Sequence, residues 1–130
     1  MSENLRLIRE YMDAWGKIPA ADLADYFTED ALYTDELGAK PIRGREAIRQ
    51  ELSRAEASLG DSREFGVEIL RELVEGDVVV VEREEWIGSG DRRREFRAVV
   101  LFEIEGGKIK ESRCYFDRDP SASVPSRREP

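Results

Sequence analysis

The sequence predicts an α+β domain: helices that come first, then a curved, mostly antiparallel sheet with the helices against its concave face. Three observations carry this expectation. Apolar residues recur at three- and four-residue spacing in the first sixty residues, where Leu5, Ile8, Met12 and Trp15 share one helical face. From residue 64 the pattern changes to strand-like runs separated by short turns. The connections Glu75-Gly76-Asp77, Gly88-Ser89-Gly90-Asp91 and Glu105-Gly106-Gly107 carry hairpin chemistry. Helices grouped before a run of long strands give an α+β layer arrangement rather than alternating units.

The elements follow in order. Residues 3–15 form a helix capped by Ser2 and ended by Gly16 and Pro19. A short second helix presents Leu23, Tyr26 and Phe27. A short strand covers 31–35, and Gly38 and Pro41 mark the loop after it. A third helix over 45–59 sets Ile48, Leu52, Ala55 and Leu59 in register. Strands are expected over 64–74, 78–87, 94–104 and 108–117. Strands of this length must twist and curl. A curled sheet with helices on its concave side forms a cone that leaves a pocket, mostly apolar with a few convergent polar groups. Residues 1–119 read as one domain, and 120–130 as a polar, proline-bearing, disordered tail.

Composition narrows the function. The formal net charge is −8, which argues against nucleic acid and anionic membranes as partners. No run approaches the ~18 apolar residues of a membrane span, and the N-terminus has no signal-peptide character. With one cysteine, Cys114, no internal disulfide can form, and the chain reads as cytoplasmic. It contains no histidine. That removes Ser-His-Asp and Cys-His catalysis and the usual neutral-pH base. It also leaves no donor set for zinc. No metal and no cofactor are expected, and proton transfer falls to Asp, Glu, Tyr, Lys or Cys.

The run Val78-Val79-Val80-Val81-Glu82-Arg83-Glu84-Glu85-Trp86 is the most informative segment. Alternate strand residues share a face, so Val79, Val81, Arg83 and Glu85 lie together and Glu82, Glu84 and Trp86 lie opposite. If the valine face is inward, Arg83 and Glu85 enter an apolar interior as neighbours. Buried charges persist only when paired. Such a pair is either a lock between strands or a functional site. The bland alternative is a strand whose second half faces solvent or a dimer partner. The last strands carry apolar residues on both faces, Phe96, Val100 and Phe102 against Val99 and Leu101. The helices can cover only one of these faces, so a homodimer through the outer face is expected.

Three segments carry a family resemblance: Tyr26-Phe27-Thr28-Glu29-Asp30-Ala31-Leu32-Tyr33-Thr34-Asp35, Val81-Glu82-Arg83-Glu84-Glu85, and Gly106 to Asp117 with its Cys114-Tyr115-Phe116 run. Over residues 3–117 the chain resembles the NTF2-like, or SnoaL-like, superfamily. Its nearest pattern is the limonene-1,2-epoxide hydrolase family, which uses an Asp-Arg-Asp triad with a Tyr and an Asn that hold water. The resemblance places the family Tyr on Tyr33, the Asn on Asp35, the Arg on Arg83 and the proton-donating Asp on Glu85. The water-activating Asp falls on Cys114, a departure from the pattern. Asp35 could then supply the missing carboxylate.

Each residue also has a structural reading. Asp35 can be a turn residue, Tyr33 a core-edge aromatic and Cys114 a small hydrophobe. The expected ligand is an apolar small molecule, with Cys114, Tyr26, Phe27 and Val81 around it. The expected activity is cofactor-independent acid–base hydrolysis of an epoxide. An isomerase or polyketide-cyclase-like enzyme, and a non-catalytic binding or dimerisation module, remain open. The sequence does not name the substrate.

Overall fold

The computed structural model describes residues 2–34, 40–58, 65–87 and 94–116. Helix α1 spans Glu3–Ala14, a 3-10 helix spans Ala20–Tyr26, and helix α2 spans Arg45–Ser58. Six strands follow the order β1 Phe27–Thr34, β2 Ile42–Arg43, β3 Phe65–Glu75, β4 Val78–Ile87, β5 Arg94–Glu105 and β6 Lys108–Phe116. They form one sheet, ordered β2-β1-β6-β5-β4-β3. All neighbours are antiparallel except β1 and β6, which run parallel. The α+β expectation holds.

Local chemistry explains the helix limits. The Ser2 Oγ accepts the Leu5 N–H at 3.0 Å, satisfying one of the donors that the first turn leaves open. Gly16 takes φ 82° just past the end of α1, a conformation that β-carbons disfavour. Gly44 at φ 96° redirects the chain into α2, and its carbonyl accepts the Ile48 N–H at 3.0 Å.

Three elements refine or differ from expectation. The second helix, read from sequence only as a short helix, is 3-10. It is held from outside by α2: Arg49 donates to the Ala21 carbonyl and the Asp25 carboxylate, each at 2.8 Å, and Glu56 accepts the Ala20 N–H at 3.1 Å. The following strand also begins earlier, at Phe27, because Phe27 pairs with Ile109 near the start of β6 before a register shift. Strand β2 is two residues long and pairs only with β1. So short a run carries no periodicity to find.

The core lies between the helices and one face of the sheet. Ile8, Leu23, Ile48 and Leu52 from the helical segments meet Phe27, Val79, Val81, Phe102 and Ile109 from the strands. All are buried. The inward faces of β4 and β5 follow the two-residue period: Val79 and Val81, then Ala98, Val100, Phe102 and Ile104. The opposite face is only partly covered and exposes Val99 and Tyr115.

The β3 edge of the sheet is tied to α1 by charge. Arg9 donates from Nε to Glu72 Oε2 at 2.8 Å and from a terminal nitrogen to Oε1 at 2.5 Å. This hydrogen-bonded contact holds the Glu72 carboxyl below its ordinary 4.5. A carboxyl depressed by folding adds stability above its unfolded pKa, and loses it as pH falls through the folded value. Glu72→Gln is therefore expected to flatten the acid limb of a melting-temperature profile below pH 4.5 and to leave its neutral limb parallel to wild type.

A second prediction concerns Gly66, which lies opposite Trp86 in the β3–β4 ladder. A β-carbon at Gly66 would stand 1.9 Å from Trp86 Cζ2, so the indole occupies the space a side chain would need. Gly66→Ala should displace the ring, red-shift the tryptophan emission and cost about 1–3 kcal/mol by the usual penalty for overpacking. Urea denaturation followed by fluorescence reads both effects.

Candidate functional site

Arg83 and Glu85 stand two residues apart on β4, on the same face as Val79 and Val81. The strand alternation therefore works as read from sequence. Both charged side chains are mostly enclosed, with relative exposures of 15% and 19%. They answer each other directly: Arg83 Nε donates to Glu85 Oε2 at 2.7 Å.

The neighbouring strand leaves room for this pair. Ala98 on β5 is the residue opposite Arg83, and it is buried. Its side chain ends at Cβ, so the guanidinium meets no bulk there. One row further in, Val81 faces Val100 and Val100 faces Cys114. The Cys114 thiol and the Tyr11 hydroxyl both act electrostatically on Arg83. Burial works against the guanidinium charge, but Glu85, Cys114 and Tyr11 together hold Arg83 above its ordinary value. The group is charged at any working pH.

Tyr33 is buried near the end of β1 and pairs in register with Ser112 of β6, which is also buried. Its ring centroid lies 6.0 Å from that of Phe27, edge to face. Phe27 in turn meets Tyr11 at 5.6 Å. Tyr11 also meets Tyr26, Phe102 and Trp15 at 5.5, 5.9 and 6.2 Å, all edge-on. Such contacts fix ring orientation and contribute about 0.5–1.5 kcal/mol each beyond burial. Partial burial raises the Tyr26 phenol, with the nearby Glu10 charge adding to the effect.

The structure thus brings Arg83 and Glu85 together, sets Cys114 close to the guanidinium, and joins Tyr33, Phe27 and Tyr26 through Tyr11. Phe27 and Val81 have no exposed surface and belong to the core cluster. Asp35 lies outside the described residues. Tyr11 was not nominated from the sequence. Its signal was present, since it lies three residues after Ile8 and four before Trp15, on the face that α1 buries.

Among the described residues no group of three or more His, Cys, Asp or Glu could hold a metal ion. Among the same residues, no helix is long and apolar enough to cross a membrane.

Comparison with known proteins adds to this picture. Residues 8–112 match the family model of the SnoaL-like domain. The chain is similar in structure to an LEH-like epoxide hydrolase of M. tuberculosis, with 27% identity and a TM-score of 0.72 over 88% of this chain and 83% of that one. It is also similar to a SnoaL-like polyketide cyclase of Jannaschia sp. CCS1, at 19% identity and TM-score 0.72 over 88% and 85% of the two chains. A third similar structure is SalBIII, an epoxide hydrolase/cyclase-like enzyme of pyran ring formation in polyether salinomycin. It shares 21% identity at TM-score 0.74 over 88% and 91% of the two chains. The last two similarities speak for the fold.

The ion pair generates a stability prediction. Arg83→Met would strand the Glu85 carboxylate among apolar side chains and should cost roughly 2–4 kcal/mol, as when one partner of an enclosed pair is lost. The double variant Arg83→Met/Glu85→Leu should recover most of this loss. Urea midpoints of the two single variants and the double variant measure the coupling.

Proposed function

Because the chain belongs to the SnoaL-like domain family, we propose that it is a cofactor-independent acid–base enzyme acting on an uncharged, apolar small molecule that carries an oxygen, in the first instance an epoxide. The observation that supports this most is the 2.7 Å Arg83–Glu85 contact on the buried face of β4. A carboxyl group fixed by a charged guanidinium, which itself interacts with Cys114 and Tyr11, is a positioned proton carrier. The similarity to the LEH-like epoxide hydrolase supports the choice of reaction.

The ligand is uncharged for a physical reason. The Arg83 charge is already matched by Glu85, and the inward side chains around it are Val81, Ala98, Val100 and Phe102. A carboxylate or ammonium ligand would either break the pair or bring an unmatched charge into apolar surroundings.

In this reading Glu85 first takes a proton from solvent and then gives it to the epoxide oxygen as the carbon–oxygen bond breaks. Its Oε2 is fixed by Arg83, so Oε1 is the oxygen that carries the proton. Water adds to the opened carbon, and its proton goes to Asp35, the carboxylate that stands in for the base the related enzymes keep at the place of Cys114. Tyr33 orients that water. The product is a diol, and proton exchange with solvent returns both carboxyl groups to their starting states.

A second reading rests on Cys114 itself. A thiol is a poor water-activating base, and an epoxide can instead be opened by a hydroxyl of the same molecule. Glu85 would still protonate the oxygen, the attacking hydroxyl would lose its proton to solvent, and the product would be a cyclic ether. The similarity to SalBIII agrees with this form.

The test is turnover of a panel of cyclic and aliphatic epoxides, with and without an internal hydroxyl. Wild type should form diols. Glu85→Gln and Asp35→Asn should each lower kcat by about 10²-fold or more, the usual contribution of a positioned acid or base. Cys114→Asp should raise it. Cyclic ether formed in place of diol, with Asp35→Asn unaffected, would move the assignment to the cyclase form. Epoxides that bind but are not turned over by either wild type or Cys114→Asp would remove the enzymatic reading altogether.

A further inference from the structure

Two apolar residues of β3 stand beside the ion pair. Val67 is opposite Glu85, and Ile69 is opposite Arg83. Directly opposed residues of an antiparallel pair share a face. Both side chains therefore point to the side on which the charged pair is enclosed. Ile69 nevertheless leaves 38% of its surface open.

The reason is a groove. An open channel of about 680 Å³ runs between α1 and β3, with Met12 on one wall and Val67 and Ile69 on the other. That volume lies within the roughly 300–1,000 Å³ of small-molecule sites. Both walls lead to the site already described. Met12 follows Tyr11, whose hydroxyl acts on Arg83. Val67 and Ile69 are one strand spacing, about 4.8 Å, from Glu85 and Arg83. Arg9 also borders the groove, and its link to Glu72 fastens α1 to β3 beside it.

The lining chemistry describes what fits. The floor is apolar and the rim is charged. The exposed rim residues Arg6, Glu10 and Asp13 carry both signs, and Asp13 already meets Lys17 at 2.9 Å. A rim of mixed sign has no net field to draw an ion. Among the described residues no aromatic side chain lines the groove, so no ring face is offered for stacking. What remains is apolar contact with an aliphatic chain. A compact ligand held at Glu85 would leave Ile69 in water, whereas a chain crossing β3 covers it.

We propose that this groove is a subsite for the unreactive part of the substrate, an uncharged aliphatic chain that runs from Glu85 across β3, and that Ile69 sets the chain length accepted. The inference rests on the reading of Glu85 as the group that meets the ligand's oxygen. It narrows the substrate class to molecules with an oxygen at one end and an extended apolar chain behind it.

Calorimetric titration with linear primary alcohols, from hexanol to decanol, tests this without turnover. Full burial of a methylene tightens binding about fourfold, and a groove open on one side should return about two- to fourfold for each methylene added. Ile69→Trp, which fills the groove, should leave the longer alcohols binding no tighter than hexanol. Ile69→Asn should reduce the gain to about 1.5-fold per methylene or less. Leu73→Trp, on the same strand but opposite Val80 and facing outward, should keep the wild-type series. Glu85→Gln removes a charged acceptor for the hydroxyl, and should weaken every alcohol by the same factor with the dependence on length intact. Circular dichroism checks that each variant is folded. Affinity that does not rise with chain length overturns the proposal. So does a rise kept by both Ile69 variants, or one lost equally in Leu73→Trp. Unchanged binding by Glu85→Gln overturns the placement of the oxygen end. Turnover of the matching terminal epoxides is measured separately. A chain-length dependence lost in the Ile69 variants, with no epoxide turned over, keeps the groove assignment and removes the epoxide reading. Turnover indifferent to chain length keeps the epoxide reading and removes the groove.

Discussion

The two-residue alternation of β4 imposes the main constraint on this molecule. Val79 and Val81 must face inward to fill the core, so Arg83 and Glu85 are carried inward behind them. Two charges in that position have to satisfy each other, and they do so through one hydrogen bond. The surroundings are adjusted to admit them. Ala98 opposite Arg83 is small, and the Cys114 thiol and Tyr11 hydroxyl add a polar fringe within an otherwise apolar layer. An enclosed pair of this sort contributes little to stability compared with hydrophobic side chains of similar volume.

The helices set the other boundary of the site. Tyr11 belongs to α1, Tyr26 to the 3-10 helix, Phe27 and Tyr33 to β1, and Phe102 to β5, yet their rings form one edge-on assembly. The 3-10 helix that presents Tyr26 is fixed by Arg49 and Glu56 of α2. The ring assembly around Tyr11 is therefore built from elements far apart in sequence, and side chains outside the core hold it in place.

The legibility of this architecture in the sequence follows the length of each pattern. Strand β4 was readable as a strand, and its period put Arg83 and Glu85 on the face of Val79 and Val81, but valines on both sides left open which face turned inward. Helices α1 and α2 were readable from their apolar spacing. Strand β2 was not, since two residues carry no period. The 3-10 geometry of 20–26 was not readable either, because the interactions that impose it come from α2. At the site, alternation put Arg83 and Glu85 on one face, and their pairing was expected if that face turned inward. The place of Tyr11 was not readable, because its partner lies on a strand some seventy residues away, and proximity of that kind is a product of packing. The family roles given to Tyr33 and Cys114 came from resemblance, and the structure adds their burial and their neighbours.

The parallel pairing of β1 with β6 has a kinetic side. It is the one parallel junction among the described strands, and it joins residues 27–34 to 109–113. The intervening chain must be ordered before this junction forms, and loop closure over such a distance is slow compared with making hairpins. The antiparallel run from β3 to β6 can assemble through short turns. Strand β1 and the helices that follow and precede it have no sheet to join until β6 exists. On a ribosome, the N-terminal third would emerge first and wait for the last described strand before its aromatic side chains find their neighbours. The ring assembly around Tyr11 is thus among the last parts of the molecule to be completed, although most of its residues are among the first to be made.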